Sequence, residues 1–418
     1  MRKLMFIFLV SILLNGIFEN NIFSATTGVD ALIEKLVEKG ILTRQEGIRL
    51  KSEIVEDEQI VREEGFKQSL PKWLQNMKLK GDFRARYQYE KRKGSNLNQG
   101  KTTERNRGRF RLRVGAETKV NDNTNLYFGL ASGNNGDPRS TNQTFEDSFS
   151  KKSIWIDYVY GEYLPSDWLT LFIGKMKNPI WEPGDMLWDT DINPEGGAMK
   201  LNWKLNPYLS LYANNAIFVL EEYANSSDPW MLVFQPGLKW DINESVDLNL
   251  AAAYYIFKQV KGATLDWSTN NNTRAINGGG NFNSISPTFE LGIKEPLSSI
   301  GIKLPYISFF GEYIHNLDAV QSKNGYMGGF KVGHKKVSDK GQWQLRYTYT
   351  LLETYAWPDI FPDSDRYSGR TGIRGHEVLF SYGLNKNLSL DLDYYRTNLS
   401  STSSKTENLF QVDLNFKF

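Results

Sequence analysis

The chain has 418 residues, a net charge of +2 and no cysteine. A near-neutral charge argues against a nucleic-acid footprint, and the missing cysteine excludes structural disulfides, thiolate catalysis, cysteine zinc sites and a lipidated N-terminal Cys. A mean hydropathy of −0.48 excludes a stack of membrane helices. Aromatics nevertheless reach 13%, with 21 Tyr and 11 Trp. That pairing suits strands in a membrane, wet on one face and rich in interfacial rings; a large soluble all-β protein would share it.

Arg2 and Lys3 precede an apolar run, Leu4–Leu14, and the small Ser24 and Ala25 offer a cleavage point. Residues 1–25 therefore read as a signal peptide. Asn15, Glu19, Asn20 and Asn21 cut the run short of the roughly 20 apolar residues that an anchor helix needs. Residues 26–70 read as a helical arm. Asp30 is placed to cap a helix with Leu32, Ile33, Leu36 and Val37 on one face, and Gly40 to stop it. Thr43 and Glu46 form a capping box that opens a second helix. That helix carries Ile48, Leu50, Ile54, Val55, Ile60 and Val61 and ends at Gly65. Such a short α-helical hairpin or coiled-coil arm, periplasmic by its position, is a solvated spacer, a trimerising stalk or a tether. Pro71-Lys72-Trp73 opens the third region, 71–418.

From Leu79 onward, runs of period two alternate with two kinds of connection. The short ones, such as Asn121-Asp122-Asn123, Pro165-Ser166-Asp167, Asn206-Pro207 and Asn385-Lys386-Asn387, use tight-turn residues. The long ones lie at about 92–103, 134–150, 178–195, 220–229, 259–283, 316–324, 354–373 and 398–405. Short and long take turns without a break. A closed membrane barrel has this asymmetry, with short turns in the periplasm and long loops outside, and the count gives about 16 antiparallel strands. In the last strand Phe410, Val412, Leu414, Phe416 and Phe418 alternate with Gln411, Asp413, Asn415 and Lys417. An ending of this type, on Phe418, is similar to the signal that outer-membrane proteins present to the barrel-insertion machinery. The apolar set faces outer-membrane lipid, since charges there cost about 2–4 kcal/mol each at midplane. The polar set faces a lumen that side chains cannot fill at this strand number, so a water channel remains.

Arg105, Arg107, Arg109, Arg111 and Arg113 stand at spacing two, and the preceding strand adds Arg84 and Arg86. They form a basic arc along one lumen wall. The loop 178–195 holds Glu182, Asp185, Asp189, Asp191 and Glu195 with no base, and its Pro179, Pro183, Pro194, Trp181 and Trp188 make it stiff. We expect it to fold inward as a constriction whose carboxylates face the arginine arc, setting a transverse field across the pore. The other reading leaves the loop outside and pairs the arginines with strand acids such as Glu90 and Glu117.

The run Gly174-Lys175-Met176, then Pro179 and Leu187–Gly197, resembles the signature of the bacterial "putative porin" family. The arm motif Glu38–Thr43 and the loop Phe361–Gly375 ahead of Glu377 are similar to that family too. The resemblance implies an outer-membrane β-barrel porin without naming its solute. Through Ile173-Gly174-Lys175 there is a weaker similarity to phosphate-selective porins, in which basic lumen residues draw anions.

Catalysis finds little support. His315, His334 and His376 share no metal-binding spacing, no Gly-x-Ser-x-Gly elbow exists, and Gly278-Gly279-Gly280 precedes no helix. No catalytic, metal or cofactor site is expected. The sequence reads as an all-β transmembrane barrel in the bacterial outer membrane, passing small hydrophilic solutes and ions by passive diffusion. A homotrimer is expected from general porins of this size. The alternatives are an anion- or phosphate-selective channel and a plugged structural or adhesive barrel.

Overall fold

The computed structural model describes residues 23–54, 69–93, 102–134, 136–269, 272–273, 280–400 and 402–418. The signal run up to residue 22 and the arm positions Val55, Ile60, Val61 and Gly65 lie outside the described residues. The chain divides into two compact units, Met1–Gln75 and Asn76–Phe418.

The first unit holds α1 (Phe23–Glu38), α2 (44–54) and α3 (Lys72–Gln75). Asp30 lies inside α1 instead of capping it, and its carboxylate pairs with Lys51 Nζ of α2 at 3.2 Å. Gly40, at φ +71°, makes the turn that an L side chain resists. The Thr43 amide donates to Glu46 Oε2 at 2.7 Å and the Glu46 amide to Thr43 Oγ1 at 3.2 Å, so the capping box opens α2. Ile33 is buried, whereas Leu32, Ile41 and Ile48 are exposed.

The second unit is a single sheet. Its strands are β1 (Lys78–Arg92), β2 (Thr103–Asn121), β3 (Thr124–Ser132), β4 (Gln143–Thr144), β5 (Ile154–Ser166), β6 (Leu169–Lys175), β7 (Glu195–Asn206), β8 (Leu209–Val219) and β9 (Trp230–Asp241), followed by β10 (Val246–Lys258), β11 (Ser284–Lys294), β12 (Tyr306–Asn316), β13 (Asn324–Gly333), β14 (Trp343–Leu352), β15 (Ile373–Asn385), β16 (Leu388–Leu399) and β17 (Thr402–Lys417). Neighbours are antiparallel throughout, and β17 closes onto β1 from Asp82↔Lys417 to Arg92↔Glu407. Gly81 and Phe418 exchange backbone hydrogen bonds of 2.7 and 3.0 Å at the seam. β4 is a two-residue patch on β2, beyond the point where β3 leaves it. The closed barrel therefore has 16 strands.

Burial is inverted relative to a soluble protein. Phe83, Phe289, Phe309 and Phe416 are each more than a third exposed, while Gln411, Thr288 and Ser308 are buried. The closed sheet with its greasy side outward is the form in which strands cross a membrane; no helix among the described residues is long and apolar enough to cross one. The short turns and long loops alternate as the sequence predicts, with one difference. β16 runs to Leu399 and β17 begins at Thr402, where the sequence predicts a loop over 398–405. The strand tips there are polar, with Thr406 Oγ1 donating to Asn398 Oδ1 at 2.5 Å. They lack the apolar alternation by which a membrane strand is recognised.

The apolar core sits inside the barrel. Met186, Leu187 and Trp188, from the connection 176–194, pack with Trp357 and Phe361, from 353–372, and with the described Val260, Leu265 and Phe282 near β10 and β11. Against them stand Phe218, Val233, Tyr255, Phe257, Phe310 and Ile314 of β8 to β12. Connections 176–194 and 353–372, with the described Val260, Leu265 and Phe282, thus bury side chains in the lumen against one arc of wall.

Candidate functional site

Strand register stacks like charge on like charge: Arg84 lies opposite Arg111, and Arg86 opposite Arg109. Directly opposed like charges destabilise a sheet unless others intervene. Carboxylates do so. Arg86 Nε meets Asp413 Oδ1 at 2.7 Å and Nη2 meets Oδ2 at 2.7 Å, with Asp365 at 3.3 Å from Nη1. Arg111 pairs with Asp82 at 2.7 Å, Arg113 with Asp82 at 2.8 Å and Asp191 at 3.2 Å, and Arg107 with Glu90 at 2.9 Å. Arg84 donates to Asn142 Oδ1 at 2.8 Å and shares Asp413 at 3.4 Å. Arg109 donates to Gln88 Oε1 at 3.0 Å and Ser140 Oγ at 3.4 Å, and has no carboxylate within ion-pair distance among the described residues. Arg105 is exposed.

The inserted loop distributes its acids among several partners. Asp191 reaches the arginine arc through Arg113 and also accepts from the Thr141 amide at 3.1 Å and its hydroxyl at 2.9 Å. Asp185 turns to Arg366 at 3.2 Å and Arg346 at 3.8 Å. Asp189 accepts from the amides of Ser364 at 2.9 Å and Asp191 at 3.0 Å. Glu182 accepts from the Tyr255 hydroxyl at 3.2 Å on the apolar side. Glu195 begins β7 and pairs with Lys175 at 2.9 Å. Of the five acids expected to face the arc, Asp191 alone bridges to it; Arg86 is met instead by Asp365 from another loop.

Burial pushes the carboxyls of Glu182, Asp185, Asp189, Asp191, Asp363 and Asp365 upward, and charged neighbours decide the outcome. For Asp191, Arg111, Arg113 and Arg84 outweigh burial and hold the carboxyl below its ordinary range. For Asp185 the cations are Arg366 and Arg346, and for Asp365 the leading one is Arg86. Asp189 is pushed up by burial and by Asp191, Glu182 by burial and Glu312, and Asp363 by burial and Asp185.

Two loops escaped the sequence reading. Residues 133–142, expected outside, place Arg139, Ser140, Thr141 and Asn142 against the arc, with Arg139 Nη1 donating to the Asp359 carbonyl at 3.2 Å. Residues 353–372 supply Asp363, Asp365 and Arg366. Arg366 is buried and bridges Asp185 to Glu377, which also pairs with Arg346. The charge run Asp363-Ser364-Asp365-Arg366 was the available signal. Between these loops and the wall lies a cavity of 270 Å³. It is lined by Arg84 and Arg111 of β1 and β2, and by carboxylates of β16, β17 and the loops, among them Asp365, Asp393 and Asp413.

A second set of cations lines the wall beyond the arc. Lys200 lies over the Phe172 ring at 5.5 Å and Lys239 over the Tyr212 ring at 5.6 Å. The Tyr212 ring lies flat because Gly237 on β9 leaves it a slot that a Cβ would fill. Neither lysine has a carboxylate within ion-pair distance among the described residues. Lys331 and Lys335 also cover rings, Phe310 and Tyr306, but pair with Glu290 at 2.9 Å and Asp247 at 3.3 Å. Among the described residues no group of three His, Cys, Asp or Glu could hold a metal ion.

A family model described as "Putative porin" matches residues 98–292 and 307–418. No curated protein matches the chain. Among solved structures it is similar to Pseudomonas putida OprB at 10% identity, covering 82% of this chain and 94% of that one with a TM-score of 0.54. Salmonella typhi OmpF, in a complex with daunomycin, matches at 10% identity, 82% and 97% coverage and TM-score 0.49. The Acinetobacter baumannii outer membrane channel DcaP matches at 12%, 82% and 97%, and 0.46. At these identities the likeness concerns the fold alone.

Proposed function

Because the chain belongs to the "Putative porin" family, we propose that it lets small hydrophilic solutes and ions diffuse passively across the bacterial outer membrane, with no chemical step. The carrying observation is the division of the lumen. Apolar loop residues fill the side next to β8 to β12, and a charged cavity remains along β16, β17, β1 and β2. Solutes take the polar side. The proposed constriction is composite: the basic arc of Arg84, Arg86, Arg105, Arg107, Arg109, Arg111 and Arg113 meets Asp191 and Asp365, while Asp185 and Asp189 hold the inserted loops together. Asp185→Asn with Asp189→Asn should loosen that contact and change both conductance and selectivity; unchanged values would remove the loop from the pore.

Lys200 and Lys239, unmatched by carboxylates among the described residues, favour anions over cations. The exposed Leu32, Ile41 and Ile48 support an assembly role for the arm in the periplasm, and the partner surface for a homotrimer would draw on it. β17 with Phe418 would present the chain to the insertion machinery. Proteoliposome swelling tests the central reading. Uncharged sugars should enter at rates that fall with their size; no swelling above empty liposomes, from folded protein, would favour a plugged adhesive barrel.

A further inference from the structure

We propose that the outward face of β14 to β17 binds a phosphate group of an outer-leaflet glycolipid through Arg374, His376 and Arg396. The proposal rests on the outer-membrane placement of the barrel and is independent of what the lumen conducts.

Along β15 the outward residues Arg374, His376 and Val378 are exposed and alternate with the buried Ile373, Gly375 and Glu377. His376 lies directly opposite Arg396 of β16 and, on its other side, Tyr349 of β14. Opposed Cβ atoms in an antiparallel pair are about 5 Å apart, and Arg374 stands about 7 Å further along the same face. Three basic side chains thus converge within reach of one phosphate. Arg374 and Arg396 have no ion-pair partner among the described residues. His376 is held: its Nδ1 lies 2.8 Å from the Tyr347 hydroxyl, and its ring is 5.1 Å from that of Tyr349. With the Tyr347 hydroxyl donating to Nδ1, the Nε2–H is left to donate outward.

The height of the cluster is what selects the ligand. One outward step towards the short turns, the same strands become apolar: Val378 and Phe380, Tyr394 and Leu392, Phe410 and Val412. The arginines therefore stand at the upper edge of the lipid-facing belt, at the end that carries the long loops and faces outward. At the same end β5 presents Ile154 and Ile156, and β8 presents Ile217 and Val219, all exposed. At this end of other strands an outward basic residue stands singly, as Lys258 does on β10, or pairs with an acid, as Lys91 does with Glu104 and Lys175 with Glu195. Unpaired guanidinium groups just above acyl chains meet phosphates there, and the planar fork of Arg takes phosphate oxygens bidentately.

The test is native mass spectrometry of the full-length protein in detergent, titrated with lipid A or with lipid A stripped of its phosphates. The parent should retain the phosphorylated form at least about tenfold more strongly, as charge-assisted hydrogen bonds require. The double variant R374Q/R396Q should lose that preference while keeping its heat-modifiable mobility and its conductance. Equal retention of the two lipids by the parent, or a preference that survives the substitutions, overturns the site. Abolition by millimolar inorganic phosphate would make it a free-phosphate site and overturn the lipid assignment. A double variant that dissociates a parent oligomer yet still prefers the phosphorylated lipid would make the strip a contact between copies and equally overturn it.

Discussion

The arginines of β1 and β2 and the lysines of β7 and β9 face one lumen but are held in opposite ways. Arg86 sits between Asp413 and Asp365, and Arg113 between Asp82 and Asp191. A guanidinium presents several donors in a rigid plane and is suited to hold two carboxylates at once. The arc thereby anchors two inserted loops, and much of its charge is spent locally. Lys200 and Lys239 rest on rings instead, and a ring attracts an ammonium without cancelling its charge. A ladder of five arginines looks in sequence like the seat of selectivity; the pairing gives most of it a scaffolding part, and on the proposed reading selectivity rests with the cations left unmatched, chiefly the two lysines.

The largest effect that sharpens this comparison comes from the scaffold. Arg366 is buried between Asp185 and Glu377. Arg366→Met leaves Asp185 and Glu377 to share Arg346 and should cost about 3–5 kcal/mol of loop docking, the range for removing one partner of a buried pair. Hydrogen exchange should speed up across 176–194 and 353–372, with a larger conductance. Unaltered exchange would separate the pair from docking. A smaller effect is expected from K200Q/K239Q, which should lower the anion-to-cation permeability ratio several-fold with the barrel intact. Removing the matched pair with R107Q/E90Q should leave that ratio nearly unchanged. If the two doubles behave alike, the distinction between paired and unpaired cations is wrong.

The smallest effect concerns pH. Glu182, Asp189 and Asp363 are held above the ordinary carboxylate range, chiefly by burial. A docked loop then binds more protons than an undocked one, so docking weakens as pH rises above that ordinary range. Asp185, Asp191 and Asp365 are held below it by arginines that outweigh burial. Their stabilisation is present above the ordinary range and is lost as pH falls towards the lowered values. Loop docking should therefore be tightest between the two limits. E182Q should flatten the alkaline limb alone in loop hydrogen exchange followed across a pH series.

Much of the barrel was legible because its signals are local. Period two in Phe410–Phe418 and the alternation of turn with loop need no knowledge of partners, and together they give the strand number. Loop destinations were not local. Nothing near Arg139 indicates that it donates to the carbonyl of Asp359, and nothing near Asp365 announces Arg86. Such contacts depend on closure of the sheet, which brings β17 beside β1. The lysine wall was hidden for the same reason: Gly237, Tyr212 and Lys239 make one unit only once β8 and β9 are in register. The prolines and tryptophans of the loop 178–195 make it stiff, but its acids divide among an arc, a second loop and an apolar wall that no spacing rule distinguishes.

The most direct measurement is single-channel recording of the purified protein in a planar bilayer under a KCl gradient. Stable conducting steps are expected, with a reversal potential of the sign for chloride preference that shifts towards zero in K200Q/K239Q. Folded, heat-modifiable protein that gives no steps, or a potassium preference indifferent to those lysines, would contradict this expectation.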